Sequence, residues 1–144
     1  MKAIKRIAAL LGTMFLLTGC GKGINYDLPD DPIKFYTQSY ISPKDKDDGY
    51  QIIEYSGRRF IPYGTIRRSL KGEDVGDCLG YIVQDGVEDK NARIYQLTET
   101  DNYLTEIFIN GEMQQPIFYR AEDTIGKNID TPDYILSLDY DLWR

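Results

Sequence analysis

YLTEIFINGEMQQPIFYR, residues 103–120, is the stretch on which the fold turns. Two runs rich in Tyr, Ile, Phe and Thr, 103–109 and 112–120, stand on either side of Asn110-Gly111. Both residues of the commonest two-residue turn need φ > 0, which Asn and Gly tolerate, so Asn-Gly between apolar runs marks a β-hairpin. The same composition recurs upstream in short runs bounded by Gly, Asp, Asn and Pro, the pattern of half-buried strands. Residues 34–41 (KFYTQSYI) alternate and read as a first strand. Residues 50–55 (YQIIEY) and 58–66 (RRFIPYGTI) flank Ser56-Gly57, a second tight turn. Pro62 has no N–H to give a ladder, so its strand is expected at an edge or bulged there. Residues 79–84 (LGYIVQ) and 93–98 (RIYQLT) read as partners across the acidic loop DGVEDKNA.

The remaining segments are less regular. SLKGEDVGDCLG, residues 69–80, is polar, carries three glycines and has room for one short helical turn. Thr131-Pro132-Asp133 suits the start of a short helix, with Thr131 as N-cap and Pro132 at the first helical position. Residues 134–138 (YILSL) equally suit one more strand, and both readings stand. The expected fold is mainly β: a small antiparallel barrel or sandwich of about six or seven strands, with one or two short helical turns.

The N-terminus follows a different logic. In MKAIKRIAALLGTMFLLTGC, Lys2, Lys5 and Arg6 precede an apolar run from Ile7 to Leu17. That run is short of the roughly 20 apolar residues a spanning helix needs, and the order of charge, apolar run and small residues is that of a secretory signal. Its end, Leu17-Thr18-Gly19-Cys20, resembles the lipobox of bacterial lipoproteins. The resemblance implies cleavage between Gly19 and Cys20 and a diacylglyceryl group on the Cys20 thiol. Two acyl chains hold a protein stably at a bilayer, since each buried methylene contributes about 0.8 kcal/mol. The expected organisation is therefore a signal peptide over 1–19, a lipidated Cys and flexible tether over 20–33, and one globular domain over 34–144. The expected location is the extracytoplasmic face of the cell membrane.

Charge and residue content narrow the function classes. Of 17 basic residues three leave with the signal, so 14 face 23 acids and the formal charge becomes −9. A chain so acidic is not expected to bind nucleic acid, nor to adhere to anionic lipid through general charge. With Cys20 acylated, Cys78 has no partner and reads as a buried, unreactive thiol. The chain has no His, so neither a Ser-His or Cys-His nucleophile nor a zinc cluster is expected. The loop SPKDKDDGY, 42–50, offers acids and a glycine, but every register puts lysine, glycine or serine where calcium ligands belong. Gly126-Lys127-Asn128 lacks the rest of a phosphate-binding loop. No cofactor or metal is expected. Carboxylate pairs such as Glu73/Asp74, Glu122/Asp123 and Asp139/Asp141 leave a small envelope hydrolase as an alternative.

The most unusual stretch is RRFIPYGTIRR, 58–68, where two arginine pairs bracket an aromatic strand. Arg58, Arg59, Arg67 and Arg68 are suited to carboxylate or phosphate, with Phe60 and Tyr63 as stacking surfaces. The plainer reading is salt-bridging to neighbouring acids and protection of an edge. Twelve tyrosines add material for recognition, since Tyr joins an apolar body to a polar tip. The segments GRRFIPYGTI, CLGYIVQDG, DKNARIYQL and QQPIFYRA together resemble small lipoproteins of Gram-positive, clostridia-like bacteria. That resemblance spans 57–121 and bears on class and location. The expected role is non-catalytic: binding or shielding an envelope protein, a glycan or a small ligand, with an immunity-type protector as a further alternative.

Overall fold

Two-residue turns with both residues left-handed set the first hairpins. Ser56-Gly57 (φ 52° and 75°) joins β3 (Gly49–Tyr55) to β4 (Arg58–Ile66), and Asp85-Gly86 (φ 51° and 77°) joins β5 (Val75–Gln84) to β6 (Val87–Leu97). Such turns match the right-handed twist of the strands they connect. The computed structural model describes residues 23–111 and 114–144; the expected signal peptide over 1–19 and Cys20 lie outside the described residues. The other strands are β1 (Ile33–Tyr36), β2 (Gln38–Ile41), β7 (Tyr103–Phe108), β8 (Ile117–Ala121) and β9 (Ile135–Ser137). Among the described residues the helical content is two 3-10 turns, Glu122–Thr124 and Asp141–Trp143.

The strands form one barrel-like, nearly closed sheet in the order β1-β5-β6-β7-β8-β4-β3-β2, with β9 added to β4. Closure depends on Thr37. The expected first strand is broken there: β1 pairs β5 in parallel, and β2 pairs β3 antiparallel. One run of chain thus bridges the two ends of the sheet, with the Thr37 amide still donating to the Val83 carbonyl at 3.0 Å. The approach of β1 requires a glycine, because a Cβ at Gly80 would stand 1.8 Å from the Ile33 carbonyl oxygen. This division, together with β9, raises the strand count among the described residues to nine, above the six or seven expected, and makes one pairing parallel in a sheet that is otherwise antiparallel, as expected of most of it.

Other differences have local causes. The stretch expected as an acidic loop over 85–92 is strand beyond its first two residues, because Asp85-Gly86 completes the turn. Residues 90–92 loop out of the β5 pairing, since Tyr81 faces Arg93 while Ile82 faces Asp89. β7 and β8 form the expected hairpin, but Asn110-Gly111 is not a two-residue turn. Such a turn would put Glu106 opposite Gln115, whereas it faces Ile117. Pro116 has no N–H to extend the ladder, and the Ile109 amide donates instead to Asn91 at 2.7 Å. β4 is not an edge. It lies between β8 and β3, with the expected bulge between Pro62 and Gly64. In 69–80, a hydrogen-bonded turn at 72–74 takes the place of a helical turn, and β5 begins at Val75. Of the two readings left open at the C-terminus, the strand is correct: β9 covers Ile135–Ser137.

Apolar side chains fill the barrel and also cover much of its outside. Phe35, Ile53, Phe60, Ile82, Ile94, Leu104 and Tyr119 form the inner cluster. Leu97, Tyr103, Phe118, Tyr134 and Ile135 form a second cluster on the outer face, under the 67–74 loop and β9. β7 is therefore buried on both faces. Where β3 diverges from β4, Leu142 wedges against Ile52 and Ile61, and Trp143 Nε1 donates to the Pro62 carbonyl at 3.0 Å.

Candidate binding cleft

Three loops meet at one end of the barrel, and charged side chains hold them. Arg68, just past β4, donates to the Asp74 carboxylate at 2.9 and 3.2 Å and to Asp133 at 3.1 Å, with its guanidinium 5.1 Å from the centre of the Tyr134 ring. Asp74 also accepts from the Lys71 amide at 2.8 Å, which folds the 67–74 loop back on itself. The β6–β7 connection is tied to that loop by Thr98, whose hydroxyl donates to the Glu73 carbonyl at 2.6 Å. From the other side Arg58 donates to the Asp101 carbonyl at 2.9 Å and to Asn102 Oδ1 at 2.8 Å. The Tyr103 hydroxyl bonds Thr131 at 2.7 Å and fixes the third loop.

Between them lies an open cleft of about 970 Å³, whose wall carries Glu73, Asp74, Glu99, Asp101, Asp130 and Asp133 against one cation among the described residues, Arg68. The Arg68 guanidinium holds the Asp74 carboxyl below its ordinary range, its hydrogen bonds outweighing the effect of partial burial. The single charge of Arg68 is shared by Asp74 and Asp133. Glu73, Glu99, Asp101 and Asp130 are exposed and make no ion pair among the described residues. Among the described residues no three carboxylates converge closely enough to hold a metal ion. Behind the wall, Tyr134 is fully buried and its hydroxyl has no hydrogen-bond partner. Burial raises its pKa most, and the Glu99 and Asp74 carboxylates raise it further.

Comparison with protein-family models, with curated proteins and with solved structures yields no match. The site therefore stands on its geometry.

The structure distributes the arginine-rich stretch over several roles. Arg58 makes a two-pronged pair with Asp123 at 2.8 and 2.9 Å in addition to its loop contacts. Arg59 pairs with Glu122 at 2.6 and 2.9 Å and lies over the Tyr40 ring. Phe60 is in the barrel interior, only 1% exposed, and has no free face for a ligand. Tyr63 is half-buried between Tyr103 and Trp143, with ring centres 5.4 and 5.6 Å away. Arg67 is exposed, without an ion pair among the described residues, and lines a smaller groove of about 340 Å³ with Tyr63. The Thr131–Asp133 segment separates this groove from the cleft. Alternation sets Arg58 and Arg59 on opposite faces of β4, and Arg67 and Arg68 lie past its end, beyond the irregularity between Pro62 and Gly64, so the four arginines do not share one face.

Elsewhere, the 42–50 loop closes on itself, with the Asp48 amide donating to the Asp45 carbonyl and Tyr50 to the Asp48 carboxylate. Cys78 is half-buried, and burial pushes its thiol pKa up. Two polar groups in the core escape sequence reasoning. Glu106 faces the barrel interior and accepts from Tyr119 at 2.8 Å. Arg120, buried without a carboxylate partner, donates to Thr124 and the Lys127 carbonyl beneath the rings of Tyr63 and Trp143. Their shared signal is parity: Glu106 alternates with Leu104 and Phe108, and Arg120 with Phe118. The cleft acids carry no local signal, because they come from three loops distant in sequence.

Proposed function

We propose that this protein is a lipid-anchored, extracytoplasmic, non-catalytic binding module that receives a cationic segment of an envelope partner in the acidic cleft. Four exposed carboxylates without counter-ions among the described residues, fixed on braced loops, carry the reading. The acids of the cleft are spread along its wall, and a ligand with several spaced positive charges matches that spread. Arg68 at its edge, with Arg67 and Tyr63 in the neighbouring groove, remain contact residues for acidic or aromatic groups of the same partner. The leader ending in Leu17-Thr18-Gly19-Cys20 supports the anchor and the location. A carboxylate hydrolase is less well supported. It needs a raised carboxyl facing substrate, and Glu106, the carboxyl whose pKa burial raises, does not line the cleft.

The test is cross-linking of the anchored protein in cells, followed by mass spectrometry. Lys71 is exposed beside the cleft, so a dominant partner linked there through its own lysine-rich segment is the expected result. Capture should be lost in a Glu99→Lys/Asp130→Lys variant. Capture that is unchanged in that variant, or no partner above background, overturns the proposal.

A further inference from the structure

The segment expected to be a free tether is attached to the barrel well before the first strand. Ile24 packs on the outer-face cluster of Val75, Tyr95 and Ile107, beside Leu70 and Ile109. Two residues on, the Tyr26 carbonyl accepts a hydrogen bond from Arg93 Nη1. Arg93 is itself oriented by its Nε, which donates to the Lys90 carbonyl at 2.8 Å where 90–92 loops out. Apolar burial and a charged donor together fix the incoming chain on the β5–β6–β7 flank.

The geometric consequence is large. Were residues 20–33 free, the thirteen steps from Cys20 to Ile33 would reach about 45 Å when extended. With Ile24 docked, four steps remain, or about 14 Å. We infer that the anchored barrel lies with its β5–β6–β7 flank against the lipid surface, instead of standing off on a tether. The inference rests on the reading of Cys20 as the anchor. The flank suits the position: Tyr26 is 49% exposed there, and a tyrosine ring with its polar tip is at home at headgroup level. The loops of the cleft adjoin the docked flank through Leu70, which packs on both outer clusters. The cleft therefore opens close to the bilayer, within reach of a basic juxtamembrane segment.

The experiment uses the full lipidated chain in vesicles of phosphatidylcholine and phosphatidylglycerol containing a headgroup-labelled quencher lipid. In a Cys78→Ser background, a fluorophore is placed by Lys71→Cys beside the docked flank, or by Lys46→Cys in the β2–β3 loop, outside that flank. Both side chains are exposed and carry the same charge change. Strong quenching at 71 with little at 46 is expected, and Ile24→Asp should abolish the difference while the protein stays vesicle-bound. Equal quenching at both sites in the otherwise unaltered floating protein overturns this inference alone. A protein that fails to float with the vesicles overturns the anchor reading, and this inference with it.

Discussion

Tyr119→Phe isolates the least compensated charge in the barrel. Glu106 is 6% exposed and takes one hydrogen bond, from the Tyr119 hydroxyl at 2.8 Å. Burial raises its pKa above the ordinary 4.5, the Tyr119 bond opposes the rise, and the charge of Asp89 adds to it. The folded state thus holds the Glu106 proton more firmly than the unfolded state. The Glu106 contribution to stability is fully present below pH 4.5 and declines as pH rises through the raised folded value. Phenylalanine keeps the ring and removes only the donor, so no cavity is created. Above that window the ionised carboxylate loses a charged hydrogen bond worth about 1.5–3 kcal/mol, whereas with Glu106 protonated the loss is nearer 1 kcal/mol. Because the lost bond favoured the ionised form, the two proteins diverge as pH rises. Urea unfolding of both from pH 4 to 8 measures this directly. A deficit that is flat across that range, or below about 0.5 kcal/mol at pH 8, refutes the argument that an ionisable buried pair is at work.

Three further outcomes test the frame and the anchor. Gly80→Ala places a methyl group on the Ile33 carbonyl. It should detach β1 and raise amide exchange at Phe35 and Thr37 while β6–β7 amides stay protected; unchanged exchange at Phe35 contradicts the closure described for the barrel. Leu142→Ala empties the wedge against Ile52 and Ile61 and should cost about 2–4 kcal/mol in chemical denaturation. A loss under 1 kcal/mol would mean that the C-terminal turn does not seal the divergence of β3 and β4. Cys20→Ala should move the protein from the membrane fraction to the soluble extracytoplasmic fraction, and retention in the membrane fraction is incompatible with a lipid anchor at that residue.

Much of the fold is legible because the turns are local. Ser56-Gly57 announces its hairpin with no help from the rest of the chain, and Pro62 forecasts its own bulge. What is not legible depends on pairings between distant segments. Nothing in KFYTQSYI says that its halves serve opposite edges, because Thr37 breaks the strand only when β5 and β3 compete for it. Asn110-Gly111 misleads for a related reason. The local turn preference is real, but pairing of Ile109 with Asn91 and the absent N–H of Pro116 fix a longer connection. The cleft is the extreme case. Its acids come from positions 73–74, 99–101 and 130–133, and only the closed barrel makes neighbours of them.

The arginines show how a sequence signal can locate a site while its chemistry does something else. Four guanidinium groups over 58–68 in an acidic chain mark the region as special, and carboxylates already engage three of them. Arg58 reaches under the 98–102 loop, Arg68 holds the 67–74 loop to the 131–134 segment, and Arg59 fastens the turn at Glu122. Exposed ion pairs of this kind add little stability individually. Their geometric effect is greater, since each links a loop to a neighbouring strand or to another loop. Loops braced this way keep like-charged carboxylates facing one another across a cleft from which repulsion would otherwise spread them. The cationic residues of the protein thereby preorganise an anionic surface, and the basic ligand proposed for the cleft would meet charges already in place and lose less affinity to ordering the loops.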